Sequence, residues 1–302
     1  MNKNLAFGLF LISAMAVLNC VSAQPAPVAR FVAVGSGKLQ LIEQGLSGPP
    51  VVFVSGLGED HATWQKVQPG IAQFARTLSY DRAGLGKSDP TNMPRGINDL
   101  AKELHALLVA SGVPGPYVLV GHSLGGAIVR FYAGLYPGHV AGLVFVDPED
   151  GRLLDALRSN LSADAWAARE AALAKALPQM PPAVREELGG LNSSTATLKR
   201  AGAIPTVPVV LLTGTKKNPA FPGNPLEQDL KLEIHRADLV AIPGAVHVLV
   251  PSSRHYVQND EPEQVIEATR NVINRSCADS KPLSDLYALI CKLYAASKVP
   301  KI

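Results

Sequence analysis

Short apolar runs alternate along this chain with longer stretches in which apolar residues return at helical spacing. Phe31-Val-Ala-Val34 and Leu39-Gln-Leu-Ile42 read as an opening hairpin. Val51–Val54, Arg76–Tyr80, Tyr117–Val120, Val140–Val146, Val207–Leu212 and Val246–Val250 read as further strands. Between them, Ala62–Phe74, Ile97–Ala110, Ala127–Tyr136 and Glu263–Asn274 carry the helical pattern. Alternation of this kind predicts an α/β fold, with helices on both faces of a mostly parallel, eight-stranded sheet.

The rhythm stops between Pro148 and Pro205. That stretch is rich in Ala, Leu, Arg and Glu and is broken at Pro178, Pro181 and Pro182, so it predicts several short helices. An insertion there would sit over the C-terminal edge of the sheet, where open α/β folds bind ligands. The predicted organisation is a core formed by 24–147 and 206–276, a helical cap at 148–205 that shapes the substrate pocket, and a helical extension at 277–302. The extension carries an apolar stripe of Leu283, Leu286, Leu289, Ile290 and Leu293, suited to packing on the body or to a dimer contact. Oligomeric state is left open.

The first residues stand outside this scheme. Lys3 precedes an apolar run from Leu5 to Val17, and Val21-Ser-Ala23 then presents small residues where a signal peptidase reads. The run is too short to span a bilayer, and Gln24-Pro-Ala-Pro27 blocks its continuation as a helix. Residues 1–23 are therefore expected to be a signal peptide, cleaved after Ala23 to leave a periplasmic or secreted protein. Cys20 raises lipid attachment as an alternative, although Asn19 before it fits such a site poorly. Without the leader, Cys277 and Cys291 remain. In an oxidising compartment they are expected to pair, closing a loop of about 15 residues that contributes ~3 kcal/mol against local unfolding.

Composition removes several classes. A chain of 302 residues, 47% hydrophobic and 18% charged, is a globular protein able to bury a large core. A net charge of +3, with no basic run interleaved with aromatics, gives no reason to expect nucleic acid as a partner. There is neither a phosphate-cradling glycine loop nor a cluster at metal-ligand spacing. No cofactor, no metal and no stable membrane insertion are expected.

The chemistry concentrates at Val118-Leu-Val-Gly-His-Ser-Leu-Gly-Gly126. An apolar run ends in Gly-x-Ser-x-Gly and a helix-forming segment follows at once, the order of parts that a nucleophile elbow needs. Ser123 would sit at the apex of a strained turn with its hydroxyl exposed. Gly121 and Gly125 flank it because a Cβ at either would collide with the neighbouring strand and helix.

Five blocks follow one another along the chain. They are Ser55-Gly-Leu-Gly58 with Trp64 after it, Tyr80-Asp-Arg-Ala-Gly-Leu-Gly-Lys-Ser88, the elbow, Gly142-Leu-Val-Phe-Val-Asp-Pro148, and His255 followed by Pro262. In these blocks the chain, from about Phe31 to Asn274, resembles the α/β-hydrolase fold serine hydrolases, in the esterase-like branch that carries a cap after the sixth strand. The resemblance implies an oxyanion hole made by the backbone N–H groups of Leu57 and Leu124. Many relatives begin the first block with His where this chain has Ser55, but a backbone donor does not depend on that side chain. His255, after the last strand and leading into the closing helix, is the implied base. His247 falls at the start of that strand, on the wrong edge, and reads as structural. The acid departs from the commonest pattern, because Thr213-Gly-Thr-Lys-Lys-Asn-Pro219, after the seventh strand, contains no carboxylate. The family's other solution places it after the sixth strand, which makes Asp147 the expected acid and Glu149 and Asp150 the alternatives. Asp81 and Arg82 are expected to hold a turn near the site. Trp64, His122 and Tyr132 are expected beside the nucleophile or along the pocket.

The expected reaction is hydrolysis of a small-molecule ester, of carboxylesterase or lactonase type, through an acyl-enzyme. Ser123 is incompatible with the dehalogenases and epoxide hydrolases of this fold, whose nucleophile is a carboxylate. Amidases, carbon–carbon bond hydrolases and cofactor-free perhydrolases share the serine and stay open. A binding or sensing protein with little turnover is the alternative from another class, and an envelope protein anchored through Cys20 is a third.

Overall fold

The computed structural model describes residues 26–192, 203–217, 224–278 and 284–297. The leader, Cys20 and Asn218 lie outside them. In chain order the strands are β1 (Val28–Val34), β2 (Gly37–Gln44), β3 (Pro50–Val54), β4 (Arg76–Tyr80), β5 (Tyr117–His122), β6 (Val140–Val146), β7 (Val209–Gly214) and β8 (Val246–Val250). They form one sheet in the order β1-β2-β4-β3-β5-β6-β7-β8. The pairs β1–β2 and β2–β4 are antiparallel, and every pairing from β4 across to β8 is parallel.

The helices are α1 (Gln68–Ile71), α2 (Ile97–Ser111), α3 (Leu124–Leu135), α4 (Arg152–Asn160), α5 (Ala163–Ala176), α6 (Pro182–Asn192), α7 (Asn224–Val240), α8 (Val257–Asp260), α9 (Pro262–Ala278) and α10 (Asp285–Ala296). They explain why β3, β5, β6 and β7 are buried at every position, since a parallel sheet is covered on both faces. Val52, Val54, Leu119 and Phe145 join one apolar cluster with Leu100 and Leu104 of α2 and Ile128 of α3. Val51, Phe53, Val120 and Val144 join the other, with Trp64, Phe74 and the α9 residues Val265 and Val272. The strand period of two sends alternate residues to opposite clusters.

Three segments differ from expectation. Ala62–Phe74, predicted as one helix, is a 3₁₀ turn at His61–Trp64 followed by the short α1. Pro69 has no N–H for an interior helical bond, so one continuous ladder cannot form. Second, α7 lies where no helix was predicted. Its buried positions are Gln228, Lys231 and His235, a polar face that periodicity alone reads as solvent. Third, the stripe on α10 is largely outward: Leu286, Leu289 and Leu293 are exposed. That helix docks instead through buried Tyr287 and Cys291. Leu283 lies outside the described residues.

Between β6 and β7 run α4, α5 and α6, of which α5 buries no residue. In contrast, α6 buries Ala183 and Glu187.

Cys277 and Cys291 form a disulfide between α9 and α10. The side-chain bonds across this joint are Tyr287 with Ser276 at 2.9 Å and Tyr294 to Asn274 at 3.0 Å. Reduction should therefore speed amide hydrogen exchange in residues 285–296 by about 100-fold, the equivalent of the ~3 kcal/mol expected for a loop of this length. Exchange in β3 and β5 should stay unchanged. Equal acceleration in both regions would mean that the bridge supports the whole fold.

Candidate active site

The turn between β5 and α3 is made by one residue. Ser123 has φ 50° and ψ −120°, a left-handed backbone that is strained for a residue bearing a Cβ. Hydrogen bonds hold it there: its N–H donates to the Val146 carbonyl at 3.2 Å, and its carbonyl accepts from Gly126 and Glu149, both at 2.9 Å. The same turn needs close backbone approach. A Cβ on Gly125 would fall 2.0 Å from the Val54 carbonyl oxygen, and one on Gly121 would fall 2.5 Å from that of Gly125.

The next strand, β6, ends beside this turn. Asp147 follows it with φ 45° and is completely buried. Its Oδ1 accepts from the Gly214 N–H at 3.2 Å, and its Oδ2 lies 2.6 Å from His255 Nδ1. Lys231 Nζ, from α7, donates to that same Oδ2. Burial alone would raise the Asp147 carboxyl, but Lys231, His255 and His235 together hold it well below the usual carboxylate range. His255 sits in the loop between β8 and α8 and keeps 37% of its side chain accessible. Its imidazole is lowered, chiefly by lost hydration and further by His122 and Lys231, against the opposing bond to Asp147. A neutral imidazole whose Nδ1–H serves a carboxylate offers Nε2 as acceptor, the tautomer a general base requires. Among the described residues no hydrogen bond joins Ser123 Oγ to His255; such contacts commonly tighten only with substrate.

The other carboxylates near this corner are engaged differently. Asp150 is bonded to Arg152 at 2.7 Å. Glu149 is pushed up to about 7, chiefly by burial. His247 Nε2 lies 2.8 Å from Thr213 Oγ1, which lies 2.8 Å from His235 Nδ1, and His235 Nε2 faces the Pro148 carbonyl at 3.0 Å. These groups form a polar chain from β8 to the Pro148 carbonyl.

The loop after β3 brings Leu57 to the same edge. Neither the Leu57 N–H nor the Leu124 N–H donates to an acceptor among the described residues. Glu59 holds this loop by accepting from Gly56 N–H at 2.9 Å and Thr63 Oγ1 at 3.0 Å. It also faces His122 Nδ1 at 3.1 Å, while His122 Nε2 faces the His255 carbonyl at 3.1 Å. Burial would raise Glu59, yet its bonds to His122, Gly56 and Thr63 bring it to about 2. Trp64, His122 and Tyr132 are completely buried, so they support the site from within and do not form its surface. Trp64 packs on Phe53 and donates to Ser55 Oγ at 3.0 Å. Asp81 accepts from the His61 and Lys87 N–H groups, both at 2.9 Å. Asp60, His61 and Asp81 lie close enough to enclose a cation, but Asp81 is committed to these bonds and to His61 Nδ1 at 2.7 Å.

A family model for the alpha/beta hydrolase fold matches residues 49–238. The chain belongs to that family. It is 26% identical over 240 residues to YqjL of Bacillus subtilis, a protein without an assigned activity, covering 80% of this chain and 89% of that one. It is 28% identical over 277 residues to the 2-(acetamidomethylene)succinate hydrolase of Mesorhizobium japonicum, covering 82% and 95% respectively. The fold matches that of carboxylesterase CesB from Bacillus subtilis with a TM-score of 0.58 at 18% identity, over 82% of this chain and 92% of that one.

In this hydrolase the Leu57 loop is tied to α6 by a buried ion cluster that the sequence did not disclose. Arg82 donates to the Ser55 and Gly56 carbonyls at 2.7 and 2.6 Å, and to both oxygens of Glu187 at 2.7 and 2.9 Å. Arg95 is a second cation on Glu187 at 2.8 Å, and Gly58 N–H reaches it at 3.3 Å. Glu59 directly follows the Ser55–Gly58 block that the sequence singled out, so it could have been found there. Glu187 and Lys231 gave no signal, because a charged residue at helical spacing reads as exposed.

Removing one partner of a buried, paired charge leaves the rest uncompensated. Glu187→Ala is therefore expected to lower unfolding stability by about 3–5 kcal/mol, measured by urea denaturation. Glu43→Ala, which breaks the partly exposed pairs with Arg30 and Arg76, should cost about 1 kcal/mol or less. Equal effects would show that the Glu187 cluster is not a structural joint.

Proposed function

We propose that this chain is an exported serine hydrolase that cleaves small-molecule esters through a Ser123–His255–Asp147 acyl-enzyme mechanism. One observation carries the reading. A completely buried carboxylate lies 2.6 Å from the Nδ1 of a partly accessible histidine, at the end of the strand next to a serine elbow. In this mechanism His255 Nε2 takes the Ser123 proton as Oγ attacks the ester carbonyl. The Leu57 and Leu124 N–H groups receive the oxyanion, and each such donor stabilises the transition state by ~3–4 kcal/mol. His255 returns the proton to the departing alcohol, and water then repeats the sequence on the acyl-enzyme.

The relative named for hydrolysis of 2-(acetamidomethylene)succinate supports a second reading, cleavage of an amide-like bond by the same serine. Export rests on the leader-like first 23 residues and on the Cys277–Cys291 bridge. Purification from the periplasm or medium with Gln24 as the first residue would test it.

The deciding assay is hydrolysis of p-nitrophenyl acetate and butyrate, with fluorophosphonate labelling of Ser123 alongside. Ser123→Ala and His255→Ala should lower kcat by about 10⁴-fold or more, and Asp147→Asn by about 10²–10⁴-fold. Because His255 lies below its ordinary value and only its neutral form is a base, kcat/KM should fall as pH drops through a midpoint below about 6.5. Labelling without ester turnover would favour the amide reading. A folded protein with neither would leave a binding protein.

A further inference from the structure

Lys231 is one of three polar residues on the buried face of α7, with only 8% of its side chain accessible. Its ammonium donates to Asp147 Oδ2, the oxygen that also faces His255 Nδ1. The carboxylate is thus gripped by Gly214 N–H at Oδ1 and by two nitrogen groups at Oδ2. Triad chemistry does not call for this cation, since a carboxylate alone orients the imidazole and stabilises the imidazolium. A buried ammonium carries a large desolvation penalty and requires a partner, so its placement here is a specific feature of the site.

A lysine at this position acts in two ways. It fixes the carboxylate in the direction that serves His255. It is also a like charge to the imidazolium, across a single oxygen, and disfavours that charged form. The groups around the pair do not cancel this effect. His235 faces it from α7, Glu149 (itself faced by Glu227 of α7) from the segment after β6, and His122 from β5 beyond His255. Glu149, pushed up to about 7, is a weak competitor for the ammonium, and Asp150 is occupied by Arg152. His247 reaches this region only through Thr213.

We propose that Lys231 is a positioning residue of the site: its ion pair takes up part of the charge of Asp147, so that His255 stays unprotonated to lower pH than an unshared carboxylate would allow. The inference rests on the Ser123–His255–Asp147 reading and assigns that base its working pH range.

The test uses readouts that need no substrate. His255 is titrated by NMR in the full-length mature protein, and the pH dependence of Ser123 labelling by a fluorophosphonate is followed in parallel. In Lys231→Met, similar in length and uncharged, the His255 midpoint should rise by about one pH unit, with the acid limb of labelling moving with it. Lys231→Arg, which keeps the charge, should stay near the wild type. A folded Lys231→Met protein with an unchanged or lower midpoint overturns the proposal. If that variant does not fold, Lys231→Gln takes its place: a raised His255 midpoint supports the proposal, and an unchanged or lower one overturns it. A shifted midpoint in a protein that hydrolyses no ester would leave Lys231 in this role and remove the esterase reading. Ester turnover with no shift would do the reverse.

Discussion

A completely buried carboxylate must be satisfied by its neighbours, and Asp147 is held by three parts of the chain at once: β7, α7 and the loop after β8. Its own N–H is fixed by the Leu212 carbonyl at 2.8 Å. Its oxygens are held by Gly214 at the end of β7, by Lys231 of α7 and by His255 beyond β8. Ser123 is coupled to the same corner, because its N–H bonds to Val146 and its carbonyl to Glu149. The left-handed backbones at Ser123 and Asp147 are strained, and they persist because these contacts over-determine them. The site is therefore a consequence of how the ends of β5, β6 and β7 are tied together.

Charge directed inward is the common device. Glu59 joins the Leu57 loop to His122 and so to the His255 backbone, while Glu187 joins the same loop to α6 through Arg82. Asp147, Glu59 and Glu187 all lie below their ordinary values, each by neighbouring cations or hydrogen bonds that outweigh burial. A carboxylate whose folded value is depressed contributes stability that is present above the unfolded value, about 4, and is lost as pH falls toward the folded one. The fold and the site are thus sensitive to acid through the same three groups.

This device also explains what the sequence could and could not tell. The sheet was legible because β3, β5, β6 and β7 are short, mostly apolar runs, and the elbow because one residue type at one spacing makes that turn. Asp147 was reached through the resemblance once Thr213–Pro219 proved to lack a carboxylate, and the structure sets it against His255. Helix α7 was not legible, because its inward face is Gln228, Lys231 and His235 and a polar face at helical spacing looks like a solvent face. Glu187 was hidden in the same way. Ala62–Phe74 failed for the opposite reason: its apolar spacing was sound, but Pro69 denied the backbone a bond that side-chain patterning does not register.

The position of Asp147 just after β6 decides what surrounds it. From that position the carboxylate lies against the end of β7, where a Cβ on Gly214 would fall 1.8 Å from the Arg254 carbonyl oxygen, so no side chain from that residue can cover it. Cover has to come from the next element, and α7 supplies it with Lys231 while His235 and Thr213 extend the polar contact behind. A hydrophobic residue there would leave Asp147 with one cationic partner, His255, and only when that ring is protonated. The polar inward face of α7 is then the structural counterpart of a buried carboxylate after β6, whose far side is met by charge.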